Sequence, residues 1–575
     1  MHLVDSVGKN SAVRYYCNYH EQACAISAEA YARVRGGIGV CLVTTGPGGV
    51  NALSGIAGAW VDSIPVVVIS GQVRRDLIAD YSKVRQRGPQ EGNVVAMARP
   101  VTKYAKTILD PLTVRYELEL AFHTAVSGRP GPVWIDIPLD VQGSEIDETG
   151  LPSYEPREDA SAGLDVDRLR SDVAKVFEML KSARRPVMIC GTGIHLSGSE
   201  GLLRELIERL RIPVILPVTA KDLIEEDHPL NLGIFGTIGQ RRANFALQNS
   251  DCILSLAAGL NCAKTGFNYR GFGPKAGKIV VDIDEGQLYH QVVTPDVGVL
   301  ADVGAFLKEM LCHIGNGLIE PPVQWLEACA HWKRRYPLLV DGFFSDQEHV
   351  NSYVFMDRLS EQLVGSDIMV AGNGLDCVSY FQAFKAKVGQ RTINNGNWGA
   401  MGWDLPASVG ACIGSGGRRT VCVTGDGSMQ LNVQELLTIS HHKLPVKIFV
   451  FNNGGYSSIR ATQKTFFDGR LVGADRSSGV SDPDFGKLSA AYGIGYAAIR
   501  DNGGLEDGIR RVLTHEGPIL CEVNISQEQE IIPKASAYRK EDGTLESRPL
   551  EDMYPFLPRD EIWENMNLFC REPGT

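Results

Sequence analysis

The sequence contains no apolar run longer than a β-strand. Its longest, such as Pro65-Val66-Val67-Val68-Ile69, fall far short of the roughly 20 residues that cross a bilayer. It also has no run of basic residues, and its net charge is −11, so the clustered Lys and Arg that nucleic acid requires are missing. The start, Met1-His2-Leu3-Val4-Asp5, has neither the basic nor the apolar stretch of a signal peptide. Thirteen cysteines are present, but no pair is spaced Cys-x-x-Cys, and Cys41, Cys190 and Cys422 sit inside apolar runs as buried thiols do. A disulfide scaffold and a structural zinc site are excluded on that pattern. The expectation is a reduced, cytoplasmic protein with no nucleic-acid or membrane partner.

What is present is an ordinary globular composition, 44% hydrophobic and 22% charged, over 575 residues, enough for about three or four domains. Strand, Gly-rich turn and helix recur. Ile38 to Thr44 reads as a strand, Thr45-Gly46-Pro47-Gly48-Gly49 as a turn, Asn51 to Trp60 as a helix and Ile64 to Ser70 as the next strand. Such alternation predicts an α/β protein of doubly wound parallel sheets. Periodicity lapses from about Gly143 to Ala162, from about Ile319 to Gln347, and after Ile532. The expected units are residues 1–150, 165–318 and 348–532, with a tail, 533–575, crossing the surface. Met1 to Lys9 reads as a helix where a strand is normal, so the first sheet should lack its opening strand.

The chemistry concentrates in the third unit. Arg419 to Thr424 reads as a buried strand ending in Gly425-Asp426-Gly427-Ser428, with Ser428 capping a helix from Met429 to His441. Val446 to Phe451 is a second strand, ending in Asn452-Asn453-Gly454-Gly455-Tyr456. Both turns should emerge at the carboxyl edge of one sheet, where open α/β folds bind ligands. Asp426 offers a hard oxygen, Asn453 a second 27 positions later, and the Gly455 carbonyl a third. Mg²⁺ takes such oxygens and completes its octahedron with phosphate and water. Free N–H groups around Ser428 suit a diphosphate. Gly-Asp-Gly alone is more often a plain turn; its pairing with Asn-Asn is what makes the pattern specific.

In the first unit His20-Glu21-Gln22 opens a helix to about Arg35, closed by Gly36-Gly37. A glutamate in a first turn usually matches only the helix dipole. Together, however, His20-Glu21-Gln22-Ala23, Ala28-Glu29-Ala30-Tyr31-Ala32-Arg33, Thr45-Gly46-Pro47-Gly48 with Asn51, Ser70-Gly71-Gln72-Val73 and Gly399-Ala400-Met401-Gly402 before Leu405-Pro406 resemble the acetohydroxyacid (acetolactate) synthase group of thiamine diphosphate enzymes. The resemblance covers nearly the whole chain. It implies pyrimidine-binding, central and diphosphate-binding domains, thiamine diphosphate with Mg²⁺, and a homodimer or homotetramer whose active sites lie between subunits. Glu21 would be the catalytic carboxylate at the aminopyrimidine ring, on cofactor held by the other subunit's diphosphate-binding domain. Gly399 and Met401 would contact that ring, while Asn51 and Gln90 line the site. Gly425, Asp426, Gly427, Ser428, Asn453, Gly455 and Tyr456 would hold the diphosphate and metal.

The departures from the group carry as much information. Gly191-Thr192-Gly193, Gly233-x-x-Gly236-x-x-Gly239 and Asp282-Ile283-Asp284 suit the group's FAD site, but Gly259 and Ala263 stand where it has two arginines. Losing both removes the natural forks for a pyrophosphate and argues against FAD. Pro89, Ser458 and Thr462 replace large side chains of the acceptor pocket, which should open and polarise it. Leu375-Asp376 replaces a Gln-His pair near the diphosphate, leaving Gly374 or Asn373 to rebuild that contact. The expected activity is a carboligase that decarboxylates a 2-keto acid, pyruvate above all, and transfers the two-carbon unit to an acceptor carbonyl. Transfer to a nucleotide-linked ketosugar, simple decarboxylation or C–C hydrolysis, and a non-catalytic cofactor-binding homologue are the alternatives.

Overall fold

A computed structural model of the chain describes residues 1–156, 165–315 and 317–568, so part of the break expected from Gly143 to Ala162 lies outside the described residues. The protein is α/β, with three separate parallel sheets. The first holds β1 (Gly39–Val43), β2 (Val66–Gln72), β3 (Tyr104–Thr107) and β4 (Val133–Pro138) in the order β1-β2-β4-β3. It is preceded by two helices, α1 (His2–Lys9) and α2 (Glu21–Arg35), and β1 lies at its edge. The second contains β5 (Pro186–Cys190), β6 (Val214–Leu216), β7 (Asn231–Ile234), β8 (Cys252–Leu256), β9 (Gly277–Asp282) and β10 (Val297–Leu300), ordered β10-β9-β8-β5-β6-β7. The third contains β11 (Ile368–Ala371), β12 (Arg391–Asn394), β13 (Thr420–Gly425), β14 (Val446–Asn452), β15 (Gly495–Ile499) and β16 (Ile519–Asn524), ordered β12-β11-β13-β14-β16-β15. The central strands, such as Pro186–Cys190 and Cys252–Leu256, are apolar and buried throughout because both faces are covered.

Helix α2 joins the first unit to the third. After β1 comes α3 (Pro47–Val61), after β11 comes α4 (Leu375–Ala383), and after β12 comes α5 (Asp404–Gly414). Helix α2 is buried between α3 and α5, and its Ala and Ser side chains permit that contact. A Cβ at Gly410 of α5 would lie 2.0 Å from the Ser27 carbonyl oxygen, so only glycine fits there. Inside this seam Arg33 pairs with Glu29 and Asp62, all three buried.

Two sequence expectations are corrected. The helix expected from Met429 to His441 is two pieces, α6 (Asp426–Gln430) and α7 (Glu435–His441), and Gly425, not Ser428, is the N-cap residue of the first. The tail does more than cross the surface. After a small hairpin, Ala537–Arg539 with Leu545–Ser547, Leu550 enters the core of the second unit. The final helix, α8 (Arg559–Met566), is then tied down as Trp332 Nε1 donates to Asn565 Oδ1 at 2.8 Å. No described cysteine is in a disulfide, and among the described residues no helix is long and apolar enough to cross a membrane.

Candidate active site

In the third sheet the chain leaves β11 toward β12 on one side and returns to β13 on the other. The loops after β11 and β13 therefore diverge, and an open α/β sheet binds ligands in such a crevice. The Gly425 to Ser428 turn follows β13 and the Asn453 to Tyr456 turn follows its neighbour β14.

Asp426 ties these turns together. Its Oδ1 accepts from Gly427 N at 2.6 Å, and its Oδ2 accepts from Asn453 N and Gly455 N, each at 3.0 Å. Burial, with Asp482 adding to it, pushes the Asp426 carboxyl up to about 6. A carboxylate desolvated in this way gains most from a cation. Beside it Asn453 Oδ1 is buried without a hydrogen-bond partner. An orphaned amide oxygen next to a buried carboxylate fits a hard divalent cation, which would satisfy both. Among the described residues no group of three or more His, Cys, Asp or Glu side chains forms a metal site, so a set of one carboxylate, one amide and a main-chain carbonyl favours Mg²⁺ over zinc. The Tyr456 ring lies over Gly427, where a Cβ would come within 2.1 Å of it, so the glycine is required.

Sequence reasoning missed Arg460. It is buried at one turn's spacing after Tyr456, and its guanidinium donates to the carbonyls of Asn453 (3.0 Å), Gly454 (3.3 Å) and Ala474 (3.4 Å). Its spacing from Tyr456 was the only available signal, and spacing alone does not distinguish it from a solvated helix charge. Arg460→Met removes these bonds while keeping most of the packing. The expected result is an about 10–100-fold weaker Mg²⁺-dependent cofactor affinity, as for other outer-shell losses, read by titration calorimetry.

The Met401 loop is held from two sides. Asn373 Nδ2 donates to the Gly399 carbonyl at 2.6 Å. Gly402 N donates to Ser428 Oγ at 2.9 Å, and the Gly402 carbonyl accepts from Asn432 Nδ2 at 2.7 Å. Met401 is thus fixed, half-buried, between the loop after β11 and the Asp426 turn. Gly374, with φ of 113°, begins α4 in the same crevice.

Glu21 is the first residue of α2 and receives a hydrogen bond from Asn51 Nδ2 to its Oε2 at 3.0 Å. Its Oε1 lies over Gly48 at the start of α3. His20 caps the helix, its Nδ1 accepting from Gln22 N. Gln90 is exposed and held at φ of 62°, a conformation costly for a residue with a Cβ, and its carbonyl abuts Gly46 at the same end of α3. What enforces that strain is Glu91, missed in the sequence: its carboxylate accepts from the main-chain N–H groups of Ala79, Arg87 and Gly88. Glu21 and Asn51 thus form one pair, with the Gln90 backbone at the same end of α3, and Asp426, Asn453 and Gly455 form another group. Between them, within one chain, Asn432 Nδ2 reaches Gln22 Oε1 at 3.4 Å. Pro89, Ser458 and Thr462 are exposed, and the Thr462 hydroxyl donates back to the Ser458 carbonyl at 3.0 Å.

A second cleft, of about 510 Å³, opens at the β5/β8 switch of the second sheet and is lined by Thr192, Gly193, Gly259, Asp62, Asp282 and Asp302 among others. Its cations are already engaged. Buried Lys264 donates to the carbonyls of Ala258 and Gly259 (2.5 and 2.7 Å), and Arg129 pairs with Asp284 at 2.8 Å. Burial lowers the Lys264 ammonium to about 8. Gly233, Gly236 and Gly239, expected to suit a flavin, are not in the lining; their open faces are occupied by Gln240, by the Lys264 backbone and by their own turn. A pyrophosphate entering here would meet Asp282 and Asp302 beside the Arg33-paired Asp62, and no free guanidinium, so this lining does not fit FAD.

Comparison with known proteins agrees with this geometry. Three family models match in series: "Thiamine pyrophosphate enzyme, N-terminal TPP binding domain" over residues 1–97, "central domain" over 173–310, and "C-terminal TPP binding domain" over 374–523. The chain is similar to the acetolactate synthase large subunit of Porphyra purpurea, 30% identical over 92% of this chain and 86% of that one. It is likewise similar to the probable acetolactate synthase large subunit of Methanocaldococcus jannaschii, at 31% over 88% and 84%, and to the acetolactate synthase isozyme 1 large subunit of Escherichia coli K12, at 28% over 92% and 90%.

Proposed function

The chain belongs to the thiamine pyrophosphate enzyme family and is a carboligase of the acetolactate synthase type, and from that premise we propose that it decarboxylates pyruvate and joins the two-carbon unit to an acceptor carbonyl. The observation that carries this reading is the pair of poised oxygens, Asp426 and the orphaned Asn453 Oδ1, at the switch point of the third sheet. They, with the Gly455 carbonyl, would hold Mg²⁺ and through it the diphosphate. Gly425, Gly427, Ser428, Tyr456 and Gly374 would frame the phosphates. When bound, thiamine diphosphate supplies the nucleophilic carbon and the electron sink for decarboxylation, so no side chain needs to be the nucleophile.

The chain's own residues bind, orient and manage protons. Asn51 fixes Glu21 through Oε2, so that Oε1 would be free to exchange a proton with the aminopyrimidine ring of a bound cofactor. Met401 and Gly399, clamped as described, would orient that ring. Gln90, exposed on the loop beside Gly46, would face the substrate. A homodimer or homotetramer suits the exposed Phe466, Phe467 and Val472, which a second copy would cover. Flavin has no part in this proposal.

The small, exposed Pro89, Ser458 and Thr462 favour a second reading, in which the acceptor is larger and more hydroxylated than pyruvate, as a nucleotide-linked ketosugar is. Exposed Arg85 and Arg87, on the loop that leads to Gln90, suit an anionic acceptor of that kind. Simple decarboxylation is less favoured, because His20, beside Glu21, has its Nδ1 taken up by helix capping. Incubation with pyruvate and a panel of acceptors, read by product mass, tests all of these. Acetylated keto-sugar is the expected product of the second reading and acetolactate of the first. Acetaldehyde alone would point to a decarboxylase, and no product from cofactor-loaded protein to a silent homologue.

A further inference from the structure

Two acids stand behind the metal turn with no role so far. Asp376 is in the first turn of α4 and Asp404 is the first residue of α5; they are 1% and 0% exposed. A Cβ at Gly372 would lie 2.2 Å from Asp404 Oδ2 and 2.7 Å from Asp376 Oδ2, so the two carboxyl groups crowd the same side of one glycine. Asp376 Oδ2 is buried without a partner. Neither acid makes an ion pair among the described residues. The titratable groups facing them are the thiols of Cys377 on α4 and Cys422 on β13, both pushed up by burial and therefore neutral. Farther off, Asp426 at the end of β13 and Glu29 with Arg33 on α2 have partners of their own. Two like charges cannot both be ionised in such a site.

The hydrogen bonds say which acid is ionised. Ser428 Oγ donates to Asp404 Oδ2 at 2.9 Å and accepts from Gly402 N at 2.9 Å, while Leu405 N donates to Asp404 Oδ1 at 2.9 Å. Both Asp404 oxygens thus have a donor, whereas Asp376 Oδ2 has none, which places the charge on Asp404 and the proton on Asp376. We propose that Asp376 and Asp404 share a single proton, carried on Asp376 Oδ2 toward Asp404, and that Asp404 so held is a positioning residue fixing Ser428 and, through it, the Gly402 peptide beside Met401. The pair then locks the metal turn to the Met401 loop. Only this last link, its consequence for cofactor, rests on the function proposed above.

Burial raises both carboxyl groups above the usual range, Asp376 further raised by Asp404. The folded protein therefore keeps the proton to a higher pH than the unfolded chain. Stability is fully present at low pH and is lost as pH rises from the ordinary carboxylate range through the folded values.

Asp376→Asn tests this, because the amide N–H supplies the same donor to Asp404 but cannot ionise. In cofactor-free protein the melting temperature of the wild type should fall as pH is raised from about 5 to 9, and Asp376→Asn should flatten part of that fall. The infrared band of a buried, protonated carboxylic acid should be present in the wild type and absent from the variant. Thiamine diphosphate with Mg²⁺, followed by titration calorimetry, should bind Asp376→Asn within about threefold of wild type, whereas Asp376→Leu, which leaves Asp404 without a donor, should bind at least tenfold more weakly. Identical pH slopes with no acid band lost, or cofactor affinity in Asp376→Asn as poor as in Asp376→Leu, would overturn the proposal. If the wild type itself fails to bind the cofactor, the functional reading fails instead, and the pH and infrared comparison still decides the shared proton.

Discussion

Replacing Glu21 with glutamine is expected to lower turnover of pyruvate by about 10²–10⁴-fold, the usual contribution of a positioned proton-transfer group, while the dissociation constant for thiamine diphosphate stays within a few-fold of wild type. Asn51 donates only to Oε2, and an amide oxygen in Glu21→Gln can still accept that bond, so α2 and α3 keep their contact. What the variant loses is the ability to exchange a proton with the aminopyrimidine ring, which no neighbour replaces, since His20 is a helix cap. The measurement is single-turnover decarboxylation of pyruvate together with a cofactor titration on the same protein. Turnover that survives unchanged would remove Glu21 from the mechanism. Turnover and binding lost together would make it a cofactor anchor instead.

The α/β class and the placing of two Gly-rich turns on adjacent strands were legible because short-range rules fix them. Alternating apolar runs and Gly-rich turns predict parallel sheets, and Gly425-Asp426-Gly427 with Asn452-Asn453 ends two adjacent strands, β13 and β14. The role proposed for Glu21 rests on its company, since a first-turn glutamate by itself says little. What escaped depends on residues brought together from far apart in the sequence. Asp376 and Asp404 sit on different helices and meet only because both begin at the carboxyl edge of one sheet. Glu91 carries no local signal for its observed work, which is to receive three main-chain N–H groups of its own loop. The tail read as polar because its apolar residues are sparse; Leu550 and Met553 nevertheless are buried. The split between α6 and α7 was hidden because Leu431 to Gln434 has no proline or glycine to mark the break.

Asp426→Asn is expected to weaken Mg²⁺-dependent thiamine diphosphate binding by 100-fold or more, and to change how stability responds to pH. The carboxylate accepts three main-chain N–H groups from two turns. Hydrogen bonds to a charged group are worth about 1.5–3 kcal/mol each, and an amide must present an N–H to donors on one side. The lost charge and at least one lost bond together correspond to two or more factors of ten at about 1.4 kcal/mol per factor. The sign of the pH effect follows from the carboxyl lying at about 6 rather than its usual 3.8. Because the folded value is raised, the ionised group costs the cation-free protein nothing near pH 4, and the full amount above pH 6. That cost is on the order of 3 kcal/mol at 1.36 kcal/mol per pH unit. A cation at Asp426 and Asn453 relieves it only where the carboxylate is ionised. Mg²⁺ should therefore raise the melting temperature of wild type more at pH 7.5 than at pH 5, with apparent affinity falling about tenfold for each pH unit below 6 as protons compete. Asp426→Asn should lose both the Mg²⁺ response and its pH dependence. Thermal melts across pH 5 to 8, with and without Mg²⁺, decide the matter. A Mg²⁺ response equal at both ends of that range, or one that persists in the variant, would place the metal somewhere other than this turn.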